Sequence, residues 1–352
     1  MGAVLPTPFH ERTAMQNLVN AWTIRGSFTV PAHYGDPRQE ALAARFSAAM
    51  ADISATEDLC IEGPRAGPFL ATACNTPLAD LDIGASRAVY WCAEGDGLRG
   101  YGRVSRLAED KFLLRSADID FGWFDGAAPR FGVSLRDATQ MRGLLFVTGP
   151  FALAALVAAG LEVGDLNEDR HADYDWRGLA VTVFRCPRAS GYELSCAAQD
   201  AIPVFDRLMR HAPLLALRLI GDDALQLLQL EAGLPLVHAD FAPAREALAR
   251  EPSPASLGFK ARPHGDNDYG RRVLAGVAWD SDQPAPFAPV FAGGKEIGRT
   301  LRSLYSPALK CAIALAQLDP DGAAPGTVVS MMRLESSGLK ESTGRVVALP
   351  FL

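Results

Sequence analysis

The stretch GGKEIGRTLRSLYSPALKCAIALAQL, residues 293–318, indicates the structure of the C-terminal part of the chain. It reads as short β-strand segments separated by turn residues. The neighbouring runs RRVLAGVAWD, GTVVSMMRLES and GRVVALPF have the same character. A series of short strands with turns predicts a small antiparallel β-barrel at the C-terminus.

Upstream of the barrel, helix and strand signals alternate without an internal repeat. Asp36 is a good N-cap and Pro37 suits the first helical position, which predicts a helix with Leu42, Phe46 and Met50 along one face. The run LAVTVFR and the run GYELSC predict a strand pair, and TGPFALAALVAAG predicts a helix. The fold class expected from this alternation is α+β.

A change of composition marks the expected domain boundary. From about residue 252 the chain is rich in proline, glycine and polar residues, as in EPSPASLGFKARPHGDNDYG. We therefore expect a two-lobed core over residues 1–262 and the β-barrel over residues 263–352.

Composition limits the function classes. The 352 residues are 49% hydrophobic and 21% charged, with a net charge of -7 and no lysine-rich run, which argues against nucleic acid or an anionic membrane as the main partner. The longest apolar run falls short of the ~20 residues that span a bilayer, and the N-terminal MGAVLPTPFHERT lacks the pattern of a signal peptide. The sequence predicts a cytoplasmic protein, and it does not indicate an oligomeric state.

Motif searches exclude several chemistries. The six cysteines include no C-x-x-C pair and no histidines stand at zinc spacing, so no metal site is expected. G-x-S-x-G, Walker and H-E-x-x-H motifs are missing, and GLRGYGR lacks the glycine spacing of a dinucleotide fingerprint.

The stretch GDGLRGYGRVSRL, residues 95–107, alternates small residues with three arginines and one tyrosine. On an extended strand Arg99, Tyr101, Arg103 and Ser105 share one face, each about 6.5 to 7 Å from the next. Two guanidiniums around a phenol can hold a small anion and favour ionisation of the tyrosine. A solvated edge strand with scattered arginines is the alternative interpretation.

Several segments together resemble a known family. Residues 293–318, followed by GT and a terminal VVALPF, resemble the C-terminal domain of the tetrahydrofolate-dependent aminomethyltransferases, the T-protein of glycine cleavage and its relatives. TPFHERT, VPAHYGDPRQEALAAR, IEGPRAGPFLATACNT and GYELSCAAQDAIPVFDRLM resemble its earlier segments in the same order. The resemblance implies three subdomains in a cloverleaf around a central folate cavity, with tetrahydrofolate as cofactor.

The resemblance also implies site residues. The glutamate of the family's G-aromatic-E signature, which hydrogen-bonds the pterin, matches Glu193, and two family aromatics match Tyr90 and Phe259. These three residues are the expected folate contacts. Each also has a plain structural explanation, Tyr90 and Phe259 as core aromatics and Glu193 as a solvated strand residue.

Departures from the family pattern point to a different substrate. The second carboxylate of the family's catalytic turn falls on Tyr101, or on Gly100 if the alignment slips by one residue. Arg103 and Ser105 stand where the family has apolar and aromatic pocket residues, and Cys186 replaces a family tyrosine. The pocket thus resembles the family's demethylase members more than its glycine-cleavage members.

The leading hypothesis is an enzyme that removes a methyl or formaldehyde-level carbon from a small aromatic, anionic substrate, with tetrahydrofolate as acceptor. Arg99 or Arg103 would anchor the anion, Ser105 would line the substrate side of the pocket, and Tyr101 would donate a proton to the leaving oxygen. His238 is a second acid–base candidate, although a histidine after the run LPLV also fits a hydrogen-bonded core residue.

Two other functions stay open from the sequence. A folate-independent lyase could release the carbon as formaldehyde by C–C cleavage, with Tyr101 or His238 as base. A non-catalytic folate-binding protein is the third possibility, because a fold can outlive its chemistry.

Overall fold

The structure is a computed structural model that describes residues 4–74, 76–92, 98–187, 191–212, 216–234, 272–282, 285–335 and 338–352. For residues 92, 98, 99, 333–335, 338 and 339 it describes the backbone alone. The chain divides into two compact units, the first formed by Met1–Trp91 and Gly100–Leu225 and the second by Cys92–Arg99 and Gln226–Leu352. The expected boundary at residue 262 lies outside the described residues and stays a prediction.

Helices and strands alternate along the first unit, whereas the second is mostly strands. The helices are α1 His10–Gln16, α2 Pro37–Phe46, α3 Ala66–Ala73, α4 Phe121–Ala127, α5 Ala152–Ala158, α6 Ala201–Met209 and α7 Asp222–Glu231. The strands are β1 Leu5–Pro6, β2 Trp22–Arg25, β3 Phe28–Pro31, β4 Ala48–Asp52, β5 Glu57–Glu62, β6 Ser86–Cys92, β7 Leu98–Ala108, β8 Lys111–Ser116, β9 Ser134–Asp137, β10 Arg142–Thr148, β11 His171–Asp175, β12 Ala180–Cys186, β13 Gly191–Ala197, β14 Leu217–Leu219, β15 Val273–Trp279, β16 Pro289–Ala292, β17 Lys295–Ser306, β18 Cys311–Leu318, β19 Val328–Glu335 and β20 Gly338–Val347. Within the described residues, no helix is long and apolar enough to cross a membrane.

The first unit contains three sheets. A small sheet has the order β1-β3-β2, a six-stranded sheet the order β11-β12-β13-β10-β4-β14, and a five-stranded sheet the order β6-β7-β8-β5-β9. The predicted pairing of LAVTVFR with GYELSC is confirmed, because β12 and β13 run antiparallel with Phe184 opposite Glu193. The α+β class is therefore confirmed.

Helix α2 begins as predicted but ends early. The Asp36 carboxylate accepts a hydrogen bond from the Arg38 backbone N–H at 2.9 Å, and Pro37 opens the helix. The predicted face of Leu42, Phe46 and Met50 is wrong, since Phe46 is exposed and Met50 is buried on β4. Strand pairing of β4 with β10 overrides the helical spacing, and small alanines of α2 form the buried face instead.

Each large sheet of the first unit has its own apolar core on one side. Behind the six-stranded sheet, side chains such as Val183, Leu194 and Val147 pack with α5 and α6. Behind the five-stranded sheet, Val104 and Leu114 pack with α3 and α4. Because side chains alternate along a strand, the residues between these positions face the other way. The two remaining faces contact each other and carry the candidate site.

The second unit is a closed barrel with the strand order β15-β18-β17-β16-β19-β20. All six contacts between neighbouring strands are antiparallel. Its centre contains Val277, Trp279 and Val290, which are almost fully buried. The C-terminal antiparallel barrel predicted from residues 293–318 is therefore confirmed.

Candidate functional site

The site begins with three charged residues that lie side by side across the five-stranded sheet. Arg103 on β7 is the Cα partner of Arg115 on β8, and Arg115 is the partner of Asp58 on β5. Their strand neighbours Val104, Leu114 and Leu59 belong to the apolar core behind the sheet. Alternation therefore places all three charges on the inner face.

A second row of three residues crosses the six-stranded sheet opposite them. His171 on β11 is the Cα partner of Phe184 on β12, which is in turn the partner of Glu193 on β13. Leu194 and Val183, next to Glu193 and Phe184, pack into the core behind this sheet. The two rows thus face each other inside the first unit.

Ion pairs join the two rows into one charged cluster, defined here as Asp58, Arg103, Arg115 and Glu193. The Arg103 guanidinium donates from Nη1 to Glu193 Oε1 at 3.0 Å and from Nη2 to Glu193 Oε2, and it lies 3.4 Å above the Phe184 ring. Arg115 donates to Glu193 Oε2 at 2.9 Å and through two 2.7 Å bonds to Asp58. The two positive and two negative charges of the cluster, all buried or nearly buried, therefore sum to zero.

The cluster sets the protonation of its members. Burial alone would raise the pKa of Glu193, but the two guanidiniums outweigh it and lower this pKa to about 2. Burial would likewise lower the pKa of Arg115, yet Asp58 and Glu193 hold it above its ordinary value. Both residues are ionised at neutral pH.

His171 and two serines lie next to the cluster. The Ser105 and Ser86 hydroxyl oxygens are 2.7 Å apart, and Ser86 Oγ lies 3.5 Å from His171 Nδ1. Burial is the largest cause of the lowered pKa of His171; Asp173 opposes it, and smaller effects of the nearby arginines lower the pKa further. The imidazole is therefore neutral at physiological pH.

The predicted site residues lie in different parts of this arrangement. Arg103 and Glu193 form the ion pair, and Tyr101 lies half-buried on β7, with its backbone carbonyl accepting a bond from Ser116 Oγ at 2.7 Å. Ser105 is buried against Ser86. Tyr90 is half-buried on the adjacent strand β6.

For three of the predicted site residues the structure does not describe the side chain. His238 and Phe259 lie outside the described residues, and Arg99 is described only as backbone on β7. The alternative alignment on Gly100 has a structural difficulty, because a Cβ at that position would lie 2.2 Å from Trp91 Cζ2 in the apolar core. Position 101, by contrast, belongs to the inner face that carries Arg103.

Comparison with known proteins relates this architecture to one family. Residues 10–251 match the GCVT N-terminal domain and residues 272–352 match the glycine cleavage T-protein C-terminal barrel domain. The chain belongs to the glycine cleavage T-protein family. The family resemblance inferred from the sequence is therefore confirmed.

Alignments with other members of the T-protein family cover nearly the whole chain. An aminomethyltransferase of Streptomyces coelicolor is 28% identical, with 92% of this chain and 91% of the relative covered. One from Thermus thermophilus is also 28% identical over 85% of this chain and 87% of the relative. The crystal structure of glycine cleavage system aminomethyltransferase T from Bartonella henselae has a TM-score of 0.84 and 23% identity, covering 99% and 98% of the two chains. Enzymes of the T-protein family transfer one-carbon units with tetrahydrofolate. The family match therefore confirms the expected one-carbon transferase class and the expected cofactor, but not the substrate.

Sequence reasoning missed Asp58, Arg115 and His171. Asp58 and Arg115 each lie next to the apolar residues of a strand, in EDLCIE and KFLLRS, whose other charges stand at the strand ends. A charge in such a strand indicates a buried pair, because burying it without a partner costs several kcal/mol. This pattern could have predicted the Asp58–Arg115 pair from the sequence. The contact of Arg115 with Glu193 could not be predicted, because it depends on the packing of two sheets and has no local sequence pattern.

Proposed function

We propose that this T-protein homologue removes a methyl or formaldehyde-level carbon from a small aromatic, anionic substrate, in the manner of a demethylase. Tetrahydrofolate, when bound, accepts the carbon. The observation that carries this proposal is the Arg103 guanidinium on the inner face of β7, two residues after Tyr101 and in contact with Glu193. A donor that carries a carboxylate or phenolate can form an ion pair with this guanidinium, which an uncharged donor cannot do.

The contacts of Glu193 support its role toward the cofactor. The Arg103 fork presents two parallel N–H donors to the two carboxylate oxygens. A pterin edge offers a ring N–H and an amino N–H in a similar arrangement, so the guanidinium stands in for that donor pair. The ionisation and the paired acceptor geometry of Glu193 support its proposed role as a folate contact, and Tyr90 and Phe259 are the further proposed contacts.

The remaining roles follow from charge and proton balance. When the carbon leaves a methoxy-type oxygen, negative charge develops on that oxygen and a proton must reach it. Tyr101 is the proposed proton donor, with His238 as a second candidate, and Arg99 or Arg103 stabilises the charge. Ser105 is the proposed residue on the substrate side of the pocket, next to Ser86.

Titration calorimetry with tetrahydrofolate tests the cofactor role. We expect saturable binding by the wild-type protein and a loss of at least about tenfold in affinity for Glu193→Gln, because the amide offers a donor where the pterin needs a second acceptor. Equal affinity of the two proteins would remove Glu193 from the folate site.

Turnover of methoxy-aromatic acids tests the role of Tyr101. Loss of a general acid reduces the rate, so Tyr101→Phe should lower kcat by about 100-fold and leave the Kd for tetrahydrofolate unchanged. Measuring kcat and Kd on the same preparation separates catalysis from folding. Unchanged turnover would exclude Tyr101 as the proton donor.

One observation favours a second candidate, the folate-independent lyase. Both oxygens of Glu193 already accept hydrogen bonds from arginines, so the carboxylate is not free as it stands. In a lyase, Arg103 would stabilise an anionic intermediate and formaldehyde would leave without an acceptor. Formaldehyde released from hydroxymethyl-bearing aromatic acids, at the same rate with and without tetrahydrofolate, would favour the lyase.

A further inference from the structure

The carboxylate of Glu193 has its hydrogen-bonding capacity filled by protein groups. A carboxylate can accept about four hydrogen bonds, two at each oxygen. Oε1 accepts from Arg103 Nη1 at 3.0 Å and lies 3.7 Å from Cys186 Sγ, while Oε2 accepts from Arg103 Nη2 and from Arg115 Nη1 at 2.9 Å. A ligand with paired N–H donors must therefore displace one of the two arginines.

The two arginines are not equally easy to displace. The Arg115 side chain is 9% exposed and is fixed by two 2.7 Å bonds to Asp58, itself 3% exposed. The Arg103 side chain is 18% exposed, and its anion contact is Glu193 alone among the ion pairs of the described residues. Displacing Arg103 leaves Glu193 held through Oε2 by Arg115, so the carboxylate stays in position.

Arg103 also has unused binding capacity. Its Nε–H is buried, and no acceptor for it is present among the residues that the structure describes. A buried donor without an acceptor is destabilising, so an incoming acceptor would be favoured. The carboxylate of an anionic substrate can accept from this N–H and from one η nitrogen together, and that η nitrogen is then lost to Glu193.

We propose that Arg103 is an internal competitor for the folate site, which holds Glu193 until an anionic substrate draws the guanidinium away. Substrate and tetrahydrofolate then bind with positive coupling, since each is bound more tightly when the other has already separated the Arg103–Glu193 pair. This inference rests on the proposed function of Glu193 as the folate contact.

The test measures the Kd of tetrahydrofolate by titration calorimetry, with and without saturating benzoate as an unreactive aromatic acid. We expect benzoate to tighten tetrahydrofolate binding to the wild-type protein by about 5- to 150-fold, and tetrahydrofolate to tighten benzoate binding by the same factor. Arg103→Met should bind tetrahydrofolate more tightly than the wild type without benzoate and should show no benzoate effect.

A matched control is available on the same strand. Arg106 is bonded to the backbone carbonyls of Leu81 at 2.9 Å and Glu109 at 3.0 Å, away from Glu193. Arg106→Met should leave both the tetrahydrofolate Kd and the benzoate effect as in the wild type. The wild-type benzoate experiment needs no variant, so it gives a result even if Arg103→Met does not fold.

The outcomes separate this inference from the proposed function. Tetrahydrofolate binding that neither benzoate nor Arg103→Met changes overturns the competition but leaves the folate role intact. No tetrahydrofolate binding by any of the proteins, with or without benzoate, overturns both. Tighter binding by Arg103→Met without a benzoate effect in the wild type supports the competition and overturns the aromatic-acid substrate.

Discussion

Replacement of Arg115 by methionine should lower the free energy of unfolding by about 3–5 kcal/mol, the range measured when one member of a buried ion pair is removed. Arg115 makes three hydrogen bonds within the charged cluster, two of them to the buried Asp58. Methionine fills a similar volume, so the lost stability is due to carboxylates without a cationic partner and not to a cavity. Urea unfolding at neutral pH gives the value.

Two further variants make this result specific. Arg87 pairs with the exposed Asp80, so Arg87→Met should cost less than about 1 kcal/mol. Adding Asp58→Asn to Arg115→Met should recover part of the loss, because the remaining buried group is then neutral. Equal losses for Arg87→Met and Arg115→Met would mean that the buried ion pairs of Arg115 stabilise the fold no more than an exposed pair does.

The wild-type protein should lose about 3 kcal/mol of stability from Glu193 as pH falls, since its pKa moves from 4.5 to about 2 on folding. The lowered pKa means that the unfolded chain binds the proton first. This contribution is complete above the ordinary pKa of a glutamate and disappears as pH falls through the folded value.

Other carboxylates also titrate in this pH range, so the test compares the free energies of unfolding of two proteins that differ only at Glu193. The stability advantage of the wild type over Glu193→Gln should be largest near neutral pH and should shrink by about half near pH 3. Urea unfolding of both proteins across this range measures it. An advantage that is constant with pH would mean that Glu193 is not held ionised by the arginines.

Much of the fold follows from local signals. Asp36 and Pro37 begin α2, and residues 293–318 supply two neighbouring strands of the barrel. These features depend on capping and on strand patterns within one segment. Met50 shows the limit, because its position on β4 is decided by pairing with β10, which is remote in the sequence.

The candidate site was less accessible to sequence reasoning. Alternation along β7 placed Tyr101, Arg103 and Ser105 on one face, and this could be read directly. That Arg103 would meet Glu193, 90 residues away on another sheet, could not be read. From the sequence, Arg103 was expected to bind the substrate and Glu193 the folate, whereas in the structure the two residues form an ion pair with each other.

The separate apolar cores behind the two large sheets have a thermodynamic consequence. Each sheet, with the helices packed on it, buries its own apolar surface, so we expect each to open and close cooperatively. The charged cluster joins these two sheets of the first unit across their facing sides. Their mutual stabilisation should therefore respond to acid but only weakly to salt, because the cluster is buried, while the stability of each sheet and its helices follows the temperature dependence of apolar burial.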